Sequence, residues 1–248
     1  MNRDELNSVQ KESESAEESA AATGAADRAE KADGEFANDK FYKFARGKGI
    51  LNLPNKLTIS RMVMIPVFAL FFYLNFTAHY FVALVVFVVA SLTDLFDGKI
   101  ARKYKLVTNL GKFLDPIADK VLVSTAFILL LTTPQIFSLN LGSWAVIVAG
   151  CGVALILARE LIVSGFRMVA ASAGEVIAAD MFGKYKTVFQ DAAVVVLLIS
   201  AGINELAAAS LGAQIVNYIG LVLFAAAIVL TVLSGINYIV KNIGILKK

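Results

Sequence analysis

Long apolar runs alternate with short polar segments over most of this 248-residue chain. Residues 62–93, 121–158 and 206–240 contain no Lys, Arg, Asp or Glu. Because a helix of about 20 apolar residues crosses the hydrocarbon core of a bilayer, each run can supply one or two spans. The pattern predicts an all-α polytopic membrane protein with six transmembrane helices, at about residues 57–75, 80–97, 108–131, 144–167, 186–204 and 215–239.

Composition supports this class and separates the N-terminal segment from the rest. The chain is 58% hydrophobic and 17% charged, with a mean hydropathy of +0.70, so it is more apolar than a soluble domain. Residues 1–39 instead hold 11 acidic and 4 basic residues among Ala, Ser and Gly. This segment cannot bury a core and is predicted to be a disordered acidic cytoplasmic tail. Residues 40–56, where aromatic and basic side chains alternate, are predicted to lie at the membrane interface, and residues 57–248 to form the six-span domain.

The distribution of basic residues predicts the orientation. All 19 Lys and Arg residues after position 39 fall on one side of the six predicted spans, and the three opposite loops contain none. Since cytoplasmic loops carry the excess of Lys and Arg, both termini are expected in the cytoplasm. His79 and Cys151 are each the only residue of their type. A metal site built from His and Cys is therefore not expected within one chain. A nucleic-acid partner is not expected for this membrane protein either.

Residues 94–119 interrupt the apolar pattern with four aspartates. Asp94 and Asp97 lie one helical turn apart on the second predicted span, and Asp115 and Asp119 one turn apart on the third. Four carboxylates at the edge of the hydrocarbon core repel one another and are costly to bury without cations. Carboxylate oxygens suit Mg²⁺ or Mn²⁺, and a pair of such ions is a common clamp for phosphoryl displacement. The alternative is a solvated ion-pair network with Lys99, Arg102, Lys112 and Lys120.

The aspartates belong to one frame, Asp94-x2-Asp97-Gly98-x2-Ala101-Arg102-x8-Gly111-x3-Asp115-x3-Asp119. This frame resembles the signature of the CDP-alcohol phosphotransferases, integral membrane enzymes of phospholipid synthesis. The resemblance implies that Asp94 and Asp115 bridge two divalent cations, that Asp97 completes one site, and that Asp119 completes the other and acts as general base. It also implies a CDP-lipid site that comprises Asn55, Gly98, Ala101, Arg102, Thr108 and Gly111. A homodimer in the bacterial cytoplasmic membrane, with its active site on the cytoplasmic side, is the family expectation.

Basic residues outside this frame indicate an anionic acceptor. Arg159 and Arg167 lie on the fourth predicted span, and Lys184 and Lys186 open the fifth. Cations converging near a metal site suit a phosphate, and the predicted acceptor site comprises Thr58, Arg61, Arg159, Arg167, Lys184 and Lys186. Glu160 is placed to neutralise Arg159. The alternative is that the cations only anchor the cytoplasmic side, and that Thr58 only caps its helix.

Three further segments indicate which members of the family the chain resembles. NLPNKLTISRM at 52–62, ARELIVSGFR at 158–167 and GKYKT at 183–187 resemble bacterial members of the family that take sn-glycerol 3-phosphate as acceptor. The resemblance implies CDP-diacylglycerol as donor, with phosphatidylglycerophosphate and CMP as products. Inositol phosphate and phosphatidylglycerol stay open as acceptors. A cation transporter is the alternative from another class. Transporters often contain internal repeats and helices broken by Gly or Pro, and the small number of prolines, four, and the lack of a visible repeat argue against this alternative.

Overall fold

The computed structural model describes residues 52–104, 109–172, 181–208 and 210–242, which are helical and contain no strand. The predicted acidic tail, residues 40–51 of the predicted interfacial segment, and Thr108 lie outside the described residues. The helices are α1 (Leu53–Tyr73), α2 (His79–Lys103), α3 (Asn109–Leu131), α4 (Gln135–Leu141), α5 (Trp144–Ser172), α6 (Met181–Leu206) and α7 (Leu211–Asn242).

Five helical segments are long and apolar enough to cross a membrane. They correspond to five of the six predicted spans: Leu53–Tyr73, His79–Ile100, Trp144–Phe166, Gly183–Leu206 and Leu211–Tyr238. Many of their apolar side chains point outward, such as Ile147 at 71% and Val222 at 67% exposure. A bilayer covers such side chains, whereas water would not tolerate them as one continuous surface. The chain is therefore a helical membrane protein.

The third predicted span differs from the other five in how its apolar residues are distributed. Helix α3 has 23 residues, but its first half carries aspartates, and only Lys120–Leu131 forms an apolar helical stretch. At about 1.5 Å of rise per residue the whole helix can cross a hydrocarbon core of about 30 Å, whereas its apolar part alone cannot. A sixth span at α3 thus stays a prediction.

Helix α4 was not expected from the hydrophobic pattern. The segment after Thr132 reads as a loop because it contains Pro134, yet seven residues, Gln135–Leu141, form a short helix. It ends at Gly142, whose φ of +80° is a conformation that glycine adopts without strain. Asn217 of α7 is fully buried and donates from Nδ2 to the carbonyl oxygen of Ile136 at 2.7 Å. This bond attaches α4 to α7.

The chain divides into two compact units. The first contains the described residues up to Ile59 together with Thr93–Asp115, and the second contains Ser60–Leu92 and Pro116–Lys248. The second unit has a continuous core of aromatic and aliphatic side chains. Phe68 and Phe127 within this core have no exposed surface. At the C-terminal end of α6, Oε1 of Glu205 accepts a hydrogen bond from the backbone N–H of Ala78, the residue before α2, at 2.9 Å.

Helices α6 and α7 come very close at Gly220. A Cβ atom added there would lie 2.7 Å from Cδ2 and 3.0 Å from Cγ of Leu197, which is itself fully buried. Glycine at this position therefore permits a close approach of two helix backbones, as small residues commonly do within membranes.

We expect Gly220→Ala to destabilise the protein by about 1–3 kcal/mol, because the added methyl group overpacks the α6–α7 contact. Gly150→Ala in α5 is the matched control, since no atom lies within 4 Å of the added Cβ. There the same substitution should be neutral or stabilising by about 0.5–1 kcal/mol, because alanine favours helix. Thermal unfolding in detergent measures both, and equal melting temperatures for the two variants would contradict the packing argument.

Candidate active site

Asn52 caps the N-terminus of α1, and Asn55 lies in the first helical turn. Oδ1 of Asn52 accepts a hydrogen bond from the backbone N–H of Asn55, and its carbonyl accepts one from Lys56, both at 3.0 Å. Asparagine is a favoured cap, and Pro54 is tolerated in the first turn because no intrahelical partner for its N–H is needed there. The sequence Asn52-Leu53-Pro54-Asn55 therefore defines where this helix begins.

Three residues of the predicted substrate sites follow one stripe of α1. Asn55, Thr58 and Arg61 are buried, with 2%, 3% and 0% exposure. The hydroxyl of Thr58 donates to the carbonyl oxygen of Pro54 at 3.2 Å. This bond to the carbonyl four residues earlier lies within α1 and is not a capping contact, since a cap accepts a backbone N–H. Burial of a guanidinium group such as that of Arg61 is costly, which is typical of a position kept for binding an anion.

The four aspartates and the motif residues around them lie on α2 and α3. Both helices run without a break through these positions, so Asp94 and Asp97 are close on one face of α2, and Asp115 and Asp119 on one face of α3. The side chain of Asp94 is partly buried, and Gly98 lies one turn further along the same helix. The side chains of the other motif residues lie outside the described residues: Asp97, Ala101, Arg102, Gly111, Asp115 and Asp119.

The chemistry of this donor set fits hard divalent cations. All the donors are carboxylates, which supply the oxygen ligands that Mg²⁺ and Mn²⁺ prefer. Among the side chains that the structure describes, no group of three or more His, Cys, Asp or Glu residues is placed to hold a metal. Asp94 is the only member of the predicted metal site in that described set. The metal site therefore rests on the motif and on its helical spacing.

Two of the predicted acceptor cations come together around one carboxylate on the C-terminal half of α5. Glu160 Oε1 contacts both Nη1 of Arg159, at 3.4 Å, and Nζ of Lys186 from α6. Nη2 of Arg159 donates to Oγ of Ser234 on α7 at 2.5 Å. We call Arg159, Glu160, Lys186 and Ser234 the basic cluster. It brings two positively charged side chains and one carboxylate together.

The other predicted acceptor cations differ in their surroundings. Lys184 lies two residues before Lys186 and is exposed, whereas Lys186 is only 6% exposed. The side chain of Arg167 lies outside the described residues. A buried lysine is rarely a simple topology signal, because anchoring lysines extend toward water. Burial therefore favours Lys186 over Lys184 as a binding residue.

Sequence reasoning predicted that Glu160 neutralises Arg159, and the structure confirms this pair. It did not predict the contact of Glu160 with Lys186, or the roles of Ser234, Gln190 and Thr231. Gln190 and Thr231 are buried, and Nε2 of Gln190 donates to Oγ1 of Thr231 at 3.3 Å. The available signal was the presence of polar residues inside apolar spans, where they generally hydrogen-bond to a neighbouring helix.

A polar cavity of about 360 Å³ lies at the opposite end of the second unit. Its lining contains Glu205 and His79, whose Oε2 and Nε2 atoms are 3.9 Å apart. No Lys or Arg is among the described residues that line it. A cavity with one carboxylate and no permanent cation does not suit a phosphate-bearing substrate. The basic cluster, not this cavity, is the candidate acceptor site.

Comparison with known proteins gives one consistent family. The family model described as CDP-alcohol phosphatidyltransferase matches residues 51–240. A protein of Bacillus subtilis is 40% identical over 213 residues, covering 80% of this chain and 98% of that protein. A Rickettsia bellii protein is 39% identical over 189 residues, covering 75% and 93%, and a Shigella flexneri protein is 38% identical over 190 residues, covering 76% and 93%.

All three relatives carry the name CDP-diacylglycerol–glycerol-3-phosphate 3-phosphatidyltransferase. The matched region contains the aspartate frame, the five candidate spans and the basic cluster. By both the family model and the relatives, this chain belongs to the CDP-alcohol phosphatidyltransferase family.

Proposed function

We propose that this protein transfers the phosphatidyl group of CDP-diacylglycerol to sn-glycerol 3-phosphate, with phosphatidylglycerophosphate and CMP as products. The aspartate frame on α2 and α3 carries the proposal, because it supplies the chemistry for a pyrophosphate donor. The names of the relatives, which match over nearly their full length, favour glycerol 3-phosphate as acceptor. The phosphate of that acceptor suits the two positively charged side chains of the basic cluster.

The proposed setting is the bacterial cytoplasmic membrane, with α3 as a sixth span. Both termini and the aspartate frame then face the cytoplasm, where soluble glycerol 3-phosphate is available. The support is the absence of Lys and Arg from the loops at the other end of the helices. A homodimer is proposed only from membership of the family.

The proposed metal site holds two divalent cations, Mg²⁺ or Mn²⁺. The residues that would hold them are Asp94, Asp97, Asp115 and Asp119. When bound, such cations neutralise the pyrophosphate and the charge that grows on departing CMP. Conversely, their positive charge allows four carboxylates to remain ionised near one another.

The CDP-lipid is proposed to lie along the aspartate stripe. Arg102 stabilises the growing charge of the leaving group, and small residues leave space for the nucleotide beside the helix backbones. Asn55, buried in the first turn of α1, is proposed to contact the cytidine. The complete set is Asn55, Gly98, Ala101, Arg102, Thr108 and Gly111.

The acceptor phosphate is proposed to bind Arg159 and Lys186, with Thr58, Arg61, Arg167 and Lys184 as further contacts. One of the two free hydroxyl groups of glycerol 3-phosphate then attacks the β-phosphorus of the donor, and CMP leaves from the opposite side. Asp119 is proposed to take the hydroxyl proton, because it is the last carboxylate of the frame along α3. The oxygen–phosphorus bond to CMP breaks as the new bond forms, so no covalent enzyme intermediate is needed.

We expect Asp94→Asn, Asp97→Asn and Asp115→Asn each to abolish CMP release from CDP-diacylglycerol and glycerol 3-phosphate. EDTA should do the same to the unchanged protein, and added Mg²⁺ or Mn²⁺ should restore activity. Glu205→Gln is the charge-matched control, because the amide oxygen can still accept the hydrogen bond from Ala78. Undiminished turnover in excess EDTA would contradict a metal-dependent reaction.

For the acceptor site, we expect Lys186→Met to raise KM for glycerol 3-phosphate by about 10- to 150-fold, because a charge-assisted contact contributes about 1.5–3 kcal/mol. The KM for CDP-diacylglycerol should change little. Lys184→Met removes the same charge from an exposed position of the same helix and should have a much smaller effect. Steady-state kinetics in mixed micelles measures both constants, and an unchanged KM for glycerol 3-phosphate in Lys186→Met would reduce Lys186 to a topology signal.

For the base, we expect Asp119→Asn to lower kcat by at least about 10²–10⁴-fold while CDP-diacylglycerol still binds. Loss of a metal ligand enlarges the effect, so the variant alone does not isolate proton transfer. A donor with a chiral β-phosphorus gives an independent measurement, because a single displacement inverts its configuration. Retention would instead require two displacements and a covalent intermediate.

A further inference from the structure

The side chain of Arg159 is held from two directions. On one side Ser234 accepts its Nη2–H at 2.5 Å, and on the other Glu160 accepts from Nη1 at 3.4 Å. The aliphatic part of Arg159 also lies against α7, because a Cβ added at Gly235 would be 3.1 Å from its Cγ. The consecutive residues Ser234 and Gly235 thus provide both a hydrogen-bond acceptor and the space for this side chain.

A second polar contact fixes the helix that carries Ser234. One turn before it, Thr231 is fully buried, donates to the carbonyl oxygen of Ala227 at 2.6 Å, and accepts from Gln190 of α6 at 3.3 Å. Gln190 lies one turn after Lys186 on α6. The hydrogen bond between Gln190 and Thr231 therefore links α6 and α7 one helical turn from Lys186 and from Ser234. This link restricts rotation of α7 about its axis.

From these contacts we infer that Ser234, Gly235 and Glu160 are positioning residues for the acceptor phosphate. Arginine and lysine side chains are flexible, and holding them in place before the ligand arrives lowers the entropy lost on binding. Ser234 and Gly235 direct the guanidinium group of Arg159, while Glu160 keeps Lys186 beside it. This inference rests on the proposed role of Arg159 and Lys186 in binding glycerol 3-phosphate.

Because Glu160 is charged, a substitution that removes its charge can distinguish positioning of Lys186 from simple neutralisation of positive charge. If Glu160 only offsets positive charge, Glu160→Gln should strengthen the attraction for an anionic acceptor and lower its KM. If Glu160 positions Lys186, the same substitution loses the ion pair and raises KM. The direction of the change in KM for glycerol 3-phosphate therefore distinguishes the two roles, and we expect an increase.

For Ser234→Ala we expect KM for glycerol 3-phosphate to rise about 2- to 12-fold, the range typical of one lost hydrogen bond, with little change in kcat or in KM for CDP-diacylglycerol. Ser200→Ala is the matched control, because Ser200 is also a buried serine of the α6–α7 contact and donates to the carbonyl oxygen of Ala213 at 3.3 Å. Ser200 lies near the C-terminal end of α6, whereas Lys186 lies near its N-terminal end. Ser200→Ala should therefore leave kcat and both KM values unchanged. Similar kinetic changes in both serine variants would mean that Ser234 is merely structural.

A double-mutant cycle tests whether Ser234 acts through Arg159. We expect the KM of the Ser234→Ala/Arg159→Gln variant to equal that of Arg159→Gln alone, because the interaction is already lost. Gly235→Ala should also raise KM although the Ser234 hydroxyl is retained. Additive effects of Ser234→Ala and Arg159→Gln would overturn the positioning role. Unchanged KM in Arg159→Gln itself would instead overturn the proposed acceptor site, so the two failures are distinguishable.

Discussion

The need to compensate charge at the edge of the hydrocarbon core governs the polar part of this protein. A charge removed from water is costly unless an opposite charge or several hydrogen bonds replace its hydration. The basic cluster meets this requirement with Glu160, which contacts both Arg159 and Lys186. Because Glu160 contacts both cations, it stabilises both of them.

Polar side chains elsewhere in the spans obey the same constraint on a smaller scale. Ser200 and Asn217 are buried and each donates to a carbonyl oxygen of another helix, and Gln190 of α6 donates to Thr231 of α7. Such bonds are directional, whereas apolar contacts between helices in lipid resemble contacts with the lipid itself. They therefore specify the rotation and depth of α7 relative to its neighbours. That rotation places Ser234 against Arg159.

Hydrophobic patterning predicted the long helices well, because a run of about 20 apolar residues has few other stable forms in a membrane. The predicted span at 144–167 corresponds to α5, Trp144–Ser172, and that at 57–75 to α1, Leu53–Tyr73. Helix α4 was missed because seven residues give too little periodicity. The partners of Lys186 and Arg159 could not be predicted either, because sequence spacing defines a helix face but not the residues that it meets on another helix.

The polar residues of the two proposed sites are divided between different helices. In the proposed function, the aspartate frame on α2 and α3 acts on the diphosphate of the CDP-lipid. The basic cluster is built from α5, α6 and α7 and contains none of the frame residues. Changes in the cluster can therefore alter the proposed acceptor site without altering the proposed metal ligands. A methyl group added at Gly235 or a hydroxyl lost from Ser234 would change the contacts of Arg159 alone among the predicted acceptor cations whose side chains the structure describes, so α7 shapes that site from outside the aspartate frame.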